Sequence, residues 1–217
     1  MYEMVLVMGL GFLAFRATRV RSEELSPIPR KISDKIGKLW DIAHQGMREN
    51  RFLRAEKALL SILKIDAKNA AAYNRLGILY AKQKEYKDAI DCFEIASSIE
   101  PTASSLHNLG LIYFETENYP KAATAFEEAL KLEDQLAARH IAYAKVQEKL
   151  GNRRLMVEEL EKAVELEPNK ESYSLLLSAY RDAGLVEQAD QLEHTMLTQI
   201  STSGQPRRVV RPKRVVI

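Results

Sequence analysis

The stretch RLGILYAKQKEY, residues 75–86, returns 33 residues later as NLGLIYFETENY, residues 108–119. The leucine, the glycine and both tyrosines keep their places, whereas most of the polar letters change. A pattern that keeps its apolar and small residues while its polar residues drift indicates a repeated packing unit with a variable surface. The chain therefore reads as a series of similar units, each about this long.

Several columns of residues recur at spacings of 33 or 34 along most of the chain. One column holds only small residues: Ala43, Gly77, Gly110 and Ala144. Two columns of bulky residues accompany it: Leu39, Tyr73, Leu106, His140 and Tyr173, and Leu59, Phe93, Phe126 and Leu160. Small residues let two helices approach closely, and large residues fill the space that the crossing leaves open. The columns therefore predict pairs of closely packed helices.

Each unit contains two helix patterns separated by a polar break. In the second unit, Tyr73, Leu76 and Tyr80 are spaced i, i+3, i+7, which places them on one helical face. After the break, Ala89, Phe93 and Ala96 follow at i, i+4, i+7. A proline at position 101 cannot continue the second helix. Each unit is therefore predicted to be a helical hairpin.

These columns resemble the tetratricopeptide repeat (TPR) family over roughly residues 36–203. The residues that carry the resemblance are Tyr73, Leu76, Gly77, Tyr80, Ala89, Phe93, Ala96 and Pro101. The resemblance implies an all-α fold, a right-handed solenoid of about five helix pairs spanning residues 33–203. The expected units are about 36–69, 70–102, 103–136, 137–169 and 170–203. The first and last depart from the pattern, as end units with a single neighbour often do.

The start of the chain is apolar from Met4 to Phe15. At 1.5 Å per residue this run covers about 18 Å, less than the roughly 30 Å of a hydrocarbon core. Three arginines follow within residues 16–21, which under the positive-inside tendency places the repeats in the cytoplasm. Although the run is short for a span, its apolar character and the arginines after it lead us to expect that residues 1–21 form a short apolar helix that anchors the protein in a membrane as a single pass. The anchor residues would be Val5, Leu6, Val7, Leu10, Phe12, Leu13 and Phe15.

Other interpretations of this start remain open. The apolar helix could pack on the first repeat, or it could be a secretion signal, and the protein would then be soluble in the cytoplasm or exported. The segment also looks like the signal-anchor of mitochondrial outer-membrane receptors, some of which carry these repeats. Residues 22–32 are expected to be a linker, with Ser33 or Asp34 capping the first helix of the solenoid.

Positive charge is concentrated near the end of the sequence. The whole chain has a net charge of +2, but residues 204–217 contain five basic residues and no acidic one. Low hydrophobic periodicity, two prolines and this charge predict a disordered basic tail. It could be solvated, or it could contact acidic lipids or nucleic acid. No aromatic residue interleaves the basic ones, which argues against nucleic-acid binding by base stacking.

Motifs for catalysis are missing from the sequence. It contains no GxxxxGK[ST], GxSxG or HExxH pattern. Its four histidines form no metal-ligand spacing, and its many acidic residues are expected on solvated helix faces. The single cysteine, Cys92, allows no intrachain disulfide and is expected to be a packing residue. The sequence therefore predicts a binding scaffold with no enzymatic activity, metal or cofactor, and it leaves the oligomeric state open.

The resemblance also implies where a partner binds, because in this family the first helix of each unit lines the inner surface. The residues predicted there are Asn74, Ile78, His107, Asn108, Leu111, Phe114, Ile141 and Lys145. Ile78, Leu111 and Ile141 would form an apolar band, and the asparagines could bond to a peptide backbone. The Lys, Asn and Arg set with which co-chaperones of this family grip a free C-terminus is missing. The expected ligand is therefore an extended or helical apolar segment of another protein, unless this face is solvated or filled by the protein's own N-terminal helix.

Overall fold

The computed structural model describes residues 30–203, and within this range every regular element is an α-helix. Successive helices pack on one another in chain order, and the first helices of neighbouring units also touch. The all-α solenoid of helix pairs that the resemblance implies is thus confirmed over the described residues. Its ten helices are α1 (Arg30–Arg48), α2 (Phe52–Ile65), α3 (Ala70–Lys82), α4 (Tyr86–Ile99), α5 (Ala103–Glu115), α6 (Tyr119–Leu132), α7 (Ala137–Lys149), α8 (Arg153–Leu166), α9 (Lys170–Asp182) and α10 (Val186–Ser203).

A three-residue turn joins the two helices of every unit. The middle residue of each turn has a positive φ of 56–77°, and these residues are Asn50, Lys84, Glu117, Gly151 and Gly184. The next residue donates its N–H to a carbonyl five positions back, as from Asn118 to Tyr113 at 2.8 Å. This bond closes the exposed end of the first helix. The sequence interpretation that Gly151 lies in a turn is confirmed.

The helices of a unit cross where the small column meets the bulky column. A β-carbon added to Gly77 would lie 2.7 Å from the ring of Phe93, and one added to Gly110 would lie 2.9 Å from the ring of Phe126. Both phenylalanines are at most 1% exposed. The prediction that Gly110 lies at a close helix crossing is therefore confirmed.

Hydrogen bonds from the recurring tyrosines join the second, third and fifth units to the unit before each of them. The hydroxyl of Tyr80 donates to Glu56 Oε1 at 2.9 Å, and that of Tyr180 donates to Glu161 Oε1 at 2.6 Å. Tyr113 makes the corresponding bond to Glu94. Each carboxylate belongs to the second helix of the preceding unit, so this column fastens neighbouring units as well as filling space.

The start of the solenoid differs from the sequence prediction. Helix α1 begins at Arg30, so Ser33 and Asp34 lie inside the helix and the expected cap at either residue is wrong. The predicted anchor (residues 1–21), the rest of the linker (residues 22–29) and the basic tail (residues 204–217) lie outside the described residues. Among residues 30–203, no helix combines the length and the apolar character that crossing a membrane requires.

Candidate peptide-binding groove

A depression of about 410 Å³ lies on the first helices of the third, fourth and fifth units. Five of the eight predicted groove residues line it: His107, Leu111, Phe114, Ile141 and Lys145. Helix α5 supplies the first three and α7 the other two. We call this depression the groove. The i, i+4 and i+7 spacing of His107, Leu111 and Phe114 explains why one face of α5 presents all three.

The other three predicted residues lie outside the groove lining. Asn108 Nδ2 is 3.4 Å from Asn74 Oδ1, so the two amides form a long hydrogen bond between α5 and α3. Ile78 is half-buried and packs against the core cluster that contains Phe93 and Phe126. Asn74 and Asn108 therefore bond to each other, and Ile78 packs mainly against the core.

Phe126 of α6 forms part of the groove lining, which the sequence prediction missed. Its ring meets the imidazole of His107 edge-on, with centroids 5.3 Å apart and planes at 66°. Phe126 is fully buried because Gly110 leaves room for its ring beneath α5. The bulky column had identified Phe126 as a packing residue, and the same packing brings its ring against the groove.

His107 is held in its neutral form by its surroundings. Burial, together with the nearby Arg139 guanidinium, lowers the pKa of His107. Its Nδ1 is buried and has no hydrogen-bond partner among the described residues. A neutral imidazole next to Leu111 adds little charge to the groove, which suits an apolar ligand.

Three carboxylates were also missed in the sequence prediction. Glu115 at the end of α5, and Glu167 and Glu171 around the start of α9, line the groove and are exposed. Lys145 is the one basic residue in this lining. Among the described residues, none of the three carboxylates takes part in an ion pair. We call these three residues the acidic rim.

A polar cluster lies inside the fourth unit, where the sequence interpretation expected acidic residues only on solvated faces. That interpretation is wrong for Glu159, which is 3% exposed. His140 Nδ1 lies 2.6 Å from Glu159 Oε2, and Lys162 donates to Glu159 Oε1 at 2.8 Å. Burying a carboxylate is costly unless it is paired, and these contacts pair it.

Helix α7 begins without a side-chain cap, and the segment before it is held in a different way. Leu136 precedes α7 and offers no side-chain acceptor, whereas Thr102 and Asn169 form capping boxes at α5 and α9. Instead, Arg139 donates to the carbonyl of Glu133 at 2.9 Å and His140 Nε2 contacts the carbonyl of Asp134 at 2.8 Å. Two long side chains thus hold the segment that leads into α7.

Reactive groups are not assembled elsewhere in the described part of the chain. Burial, with Asp88 and Asp91 nearby, raises the pKa of Cys92 to about 11, so the thiol stays protonated. Cys92 packs against a core cluster, as expected for a packing residue. Residues 30–203 contain no group of three His, Cys, Asp or Glu side chains placed to hold a metal ion.

Comparisons with known proteins agree with this architecture. Tetratricopeptide repeat profiles match residues 70–102 and residues 101–167. No curated protein matches the sequence. A crystal structure of MamA protein is similar with a TM-score of 0.71 at 21% identity, covering 83% of this chain and 100% of that one.

Two further solved structures are similar. MamA 41-end from Desulfovibrio magneticus RS-1 has a TM-score of 0.69 at 15% identity, covering 79% of this chain and 98% of that one. YrrB, a TPR protein with an unusual peptide-binding site, has a TM-score of 0.62 at 19% identity, covering 72% of this chain and 81% of that one. At these identities the likeness shows a shared fold. Together with the matched profiles, it establishes that residues 70–167 are tetratricopeptide repeats within a longer α-solenoid.

Proposed function

We propose that this protein is a non-enzymatic scaffold that binds an apolar segment of a partner protein in the groove. The observation that carries the proposal is the exposure of apolar side chains around the groove. Leu111 remains 39% exposed, with Phe114 and Ile141 half-buried around the same depression. Apolar surface gathered in a concave site stabilises a complex when a ligand removes it from water.

The polar groups around the groove support an extended or helical peptide as ligand. The Asn74–Asn108 hydrogen bond is long, so a peptide backbone can replace it and use both amides. A free acidic C-terminus fits poorly, because the acidic rim would repel it and Lys145 is the one cation in the lining. YrrB, which shares the fold, carries a peptide-binding site by its description.

The test is partner capture by the full chain after crosslinking in its native cells. Leu111→Asp with Ile141→Asp places two charges in the groove and should reduce the captured partner at least tenfold, because apolar anchors at an interface centre contribute about 2 kcal/mol each. The matched control is Ile95→Asp with Leu132→Asp, which changes two exposed apolar residues on second helices. Capture that survives the groove variant would place the partner elsewhere.

We further propose that the apolar segment at residues 4–15 anchors this scaffold in a membrane with the solenoid in the cytoplasm. The support is the twelve-residue apolar run followed by Arg16, Arg19 and Arg21. Membrane fractions washed with carbonate should retain the full-length protein. Leu6→Asp with Leu10→Asp and Leu13→Asp should release it. Recovery of unchanged protein in the soluble fraction would favour a soluble adaptor instead.

A further inference from the structure

We propose that the groove is occupied in the free protein by the chain's own basic segment, residues 204–217, which a partner must displace. This inference rests on the proposed use of the groove as a peptide site and adds a regulatory contact to it. It is carried by the charge of the groove, by the composition of the basic segment and by the place where α10 ends.

The groove combines apolar side chains with unpaired negative charge. Leu111, Phe114 and Ile141 supply the apolar surface, and the acidic rim supplies three carboxylates against the single ammonium of Lys145. Two more acidic residues, Glu148 and Asp182, line an adjoining depression beside Lys145. The matching ligand is a peptide that alternates apolar and basic side chains.

Residues 204–217 have this composition. The segment GQPRRVVRPKRVVI contains five basic residues, four valines and one isoleucine, with no acidic residue. Its two prolines favour an extended backbone, which suits a long groove. No stretch of 14 residues that lies outside this segment combines five basic side chains with no acidic one.

The end of α10 places this segment within reach of the groove. Helices α9 and α10 are joined by a three-residue turn and therefore run antiparallel. Because α10 has 18 residues and α9 has 13, α10 runs back past the start of α9, where Glu167 and Glu171 lie. From there, 14 extended residues reach about 46 Å. Helix α7 lies between α9 and α5, and two interaxial steps of about 10 Å place these helices about 20 Å apart.

A contact within one chain has a high effective concentration. A flexible link of this length gives a value in the millimolar range, so a weak contact still occupies the groove most of the time. A partner segment then competes with the basic segment, and its apparent affinity is the intrinsic affinity multiplied by the fraction of grooves that are unoccupied. Neutralising the segment should therefore raise partner capture.

The first experiment uses the full chain with p-benzoylphenylalanine in place of Val210. Irradiation should give crosslinks to α5 and α7, which supply the groove, and peptide mass spectrometry locates them. In an equal mixture of isotopically light and heavy protein, the crosslinks should join peptides of the same label. Crosslinks confined to α4, α6 and α8, the absence of internal crosslinks, or frequent light–heavy pairs would each overturn the proposal.

The second experiment tests the charge match. Glu115→Gln with Glu167→Gln and Glu171→Gln should weaken the contact about tenfold, since exposed ion pairs each contribute about two- to threefold, and should lower the crosslink yield about two- to fivefold. The control is Glu128→Gln with Glu165→Gln and Glu187→Gln, which makes the same change of charge at exposed positions on second helices. An equal fall in both variants would mean that net charge alone matters and would overturn a groove contact.

The two proposals fail separately. Partner capture that survives Leu111→Asp with Ile141→Asp would remove the proposed function and leave the crosslinks to explain. Crosslinks outside the groove would remove the contact with residues 204–217 and leave that function standing. Replacing Arg207, Arg208, Arg211, Lys213 and Arg214 by Gln in the full chain should raise partner capture at least twofold, and unchanged capture would argue against competition.

Discussion

Gly110 of α5 faces the ring of Phe126 in α6 so closely that an added β-carbon would lie 2.9 Å from the Phe126 Cζ atom. The unit before it repeats this combination with Gly77 and Phe93. The first and fourth units have an alanine at the glycine position and a leucine at the phenylalanine position, Ala43 with Leu59 and Ala144 with Leu160, and all four are buried. The space at the helix crossing is thus filled either by a glycine with a phenylalanine or by an alanine with a leucine.

This exchange predicts a coupling between the two positions. Phe126→Leu alone should leave a cavity and lower the free energy of unfolding. Gly110→Ala alone should overpack the crossing, so that it either lowers the free energy of unfolding or raises it by less than the higher helix propensity of alanine would give. The double variant restores the combination of the first and fourth units. Its cost should be smaller than the sum of the single costs by about 1 kcal/mol in urea unfolding. Strict additivity would contradict a shared crossing volume.

The turns predict opposite effects of glycine at two equivalent positions. Glu117 has a φ of 58°, and Gly151, one unit later, has a φ of 77°. Glu117→Gly should stabilise the protein by about 0.5 kcal/mol, because relief of strain exceeds the entropy that glycine adds to the unfolded chain. Gly151→Glu is the reverse change and should destabilise it by about 0.5 kcal/mol, although no atom lies within 4 Å of the added β-carbon. Thermal unfolding of both variants measures this, and shifts in the same direction would refute it.

The buried pair of His140 and Glu159 predicts a strong asymmetry between single and double changes. Glu159→Ala alone leaves His140 Nδ1 buried without a partner and should cost about 3–5 kcal/mol. His140→Leu with Glu159→Ala reproduces the buried Leu106 and Ala125 of the third unit and should recover most of that loss. Denaturant unfolding compares the three proteins. A double variant no more stable than Glu159→Ala would show that the pair itself is needed.

The Tyr180 hydroxyl predicts a loss of stability at alkaline pH. Burial, with the hydrogen bond to Glu161 and its charge, raises the pKa of Tyr180 from 10.0 to about 12. Because the folded pKa lies above the unfolded one, the stabilisation is complete below pH 10 and disappears as the pH rises to about 12. Tyr180→Phe should therefore be less stable at pH 7 by about 1 kcal/mol, with a difference that shrinks above pH 10. A constant difference across this range would disprove the bond, and Glu161→Gln should reduce the slope in the same way.

The sequence alone determined the helical hairpins. Positions three, four and seven apart share a helix face, and a three-residue turn makes the two helices of a unit antiparallel. These two local features bring the residues of the small and bulky columns into contact. Gly110 and Gly151 could therefore be assigned to a crossing and a turn before any coordinates were known. The division of the chain into units at about 36–69 and onward stays a prediction, as does the role of the groove residues.

Only the tertiary structure decided what lies between units. Glu167 follows α8 and Glu171 lies at the start of α9, yet both line the same groove as Leu111 of the third unit. The rotation from one unit to the next sets which ends of the helices meet there. Glu159 looks like any solvated acidic residue in the sequence, and its burial follows from the place where His140 projects from α7. Spacing along the chain fixes contacts within a hairpin. The angle between hairpins results from the summed packing of all side chains at the interface, and no single spacing records it.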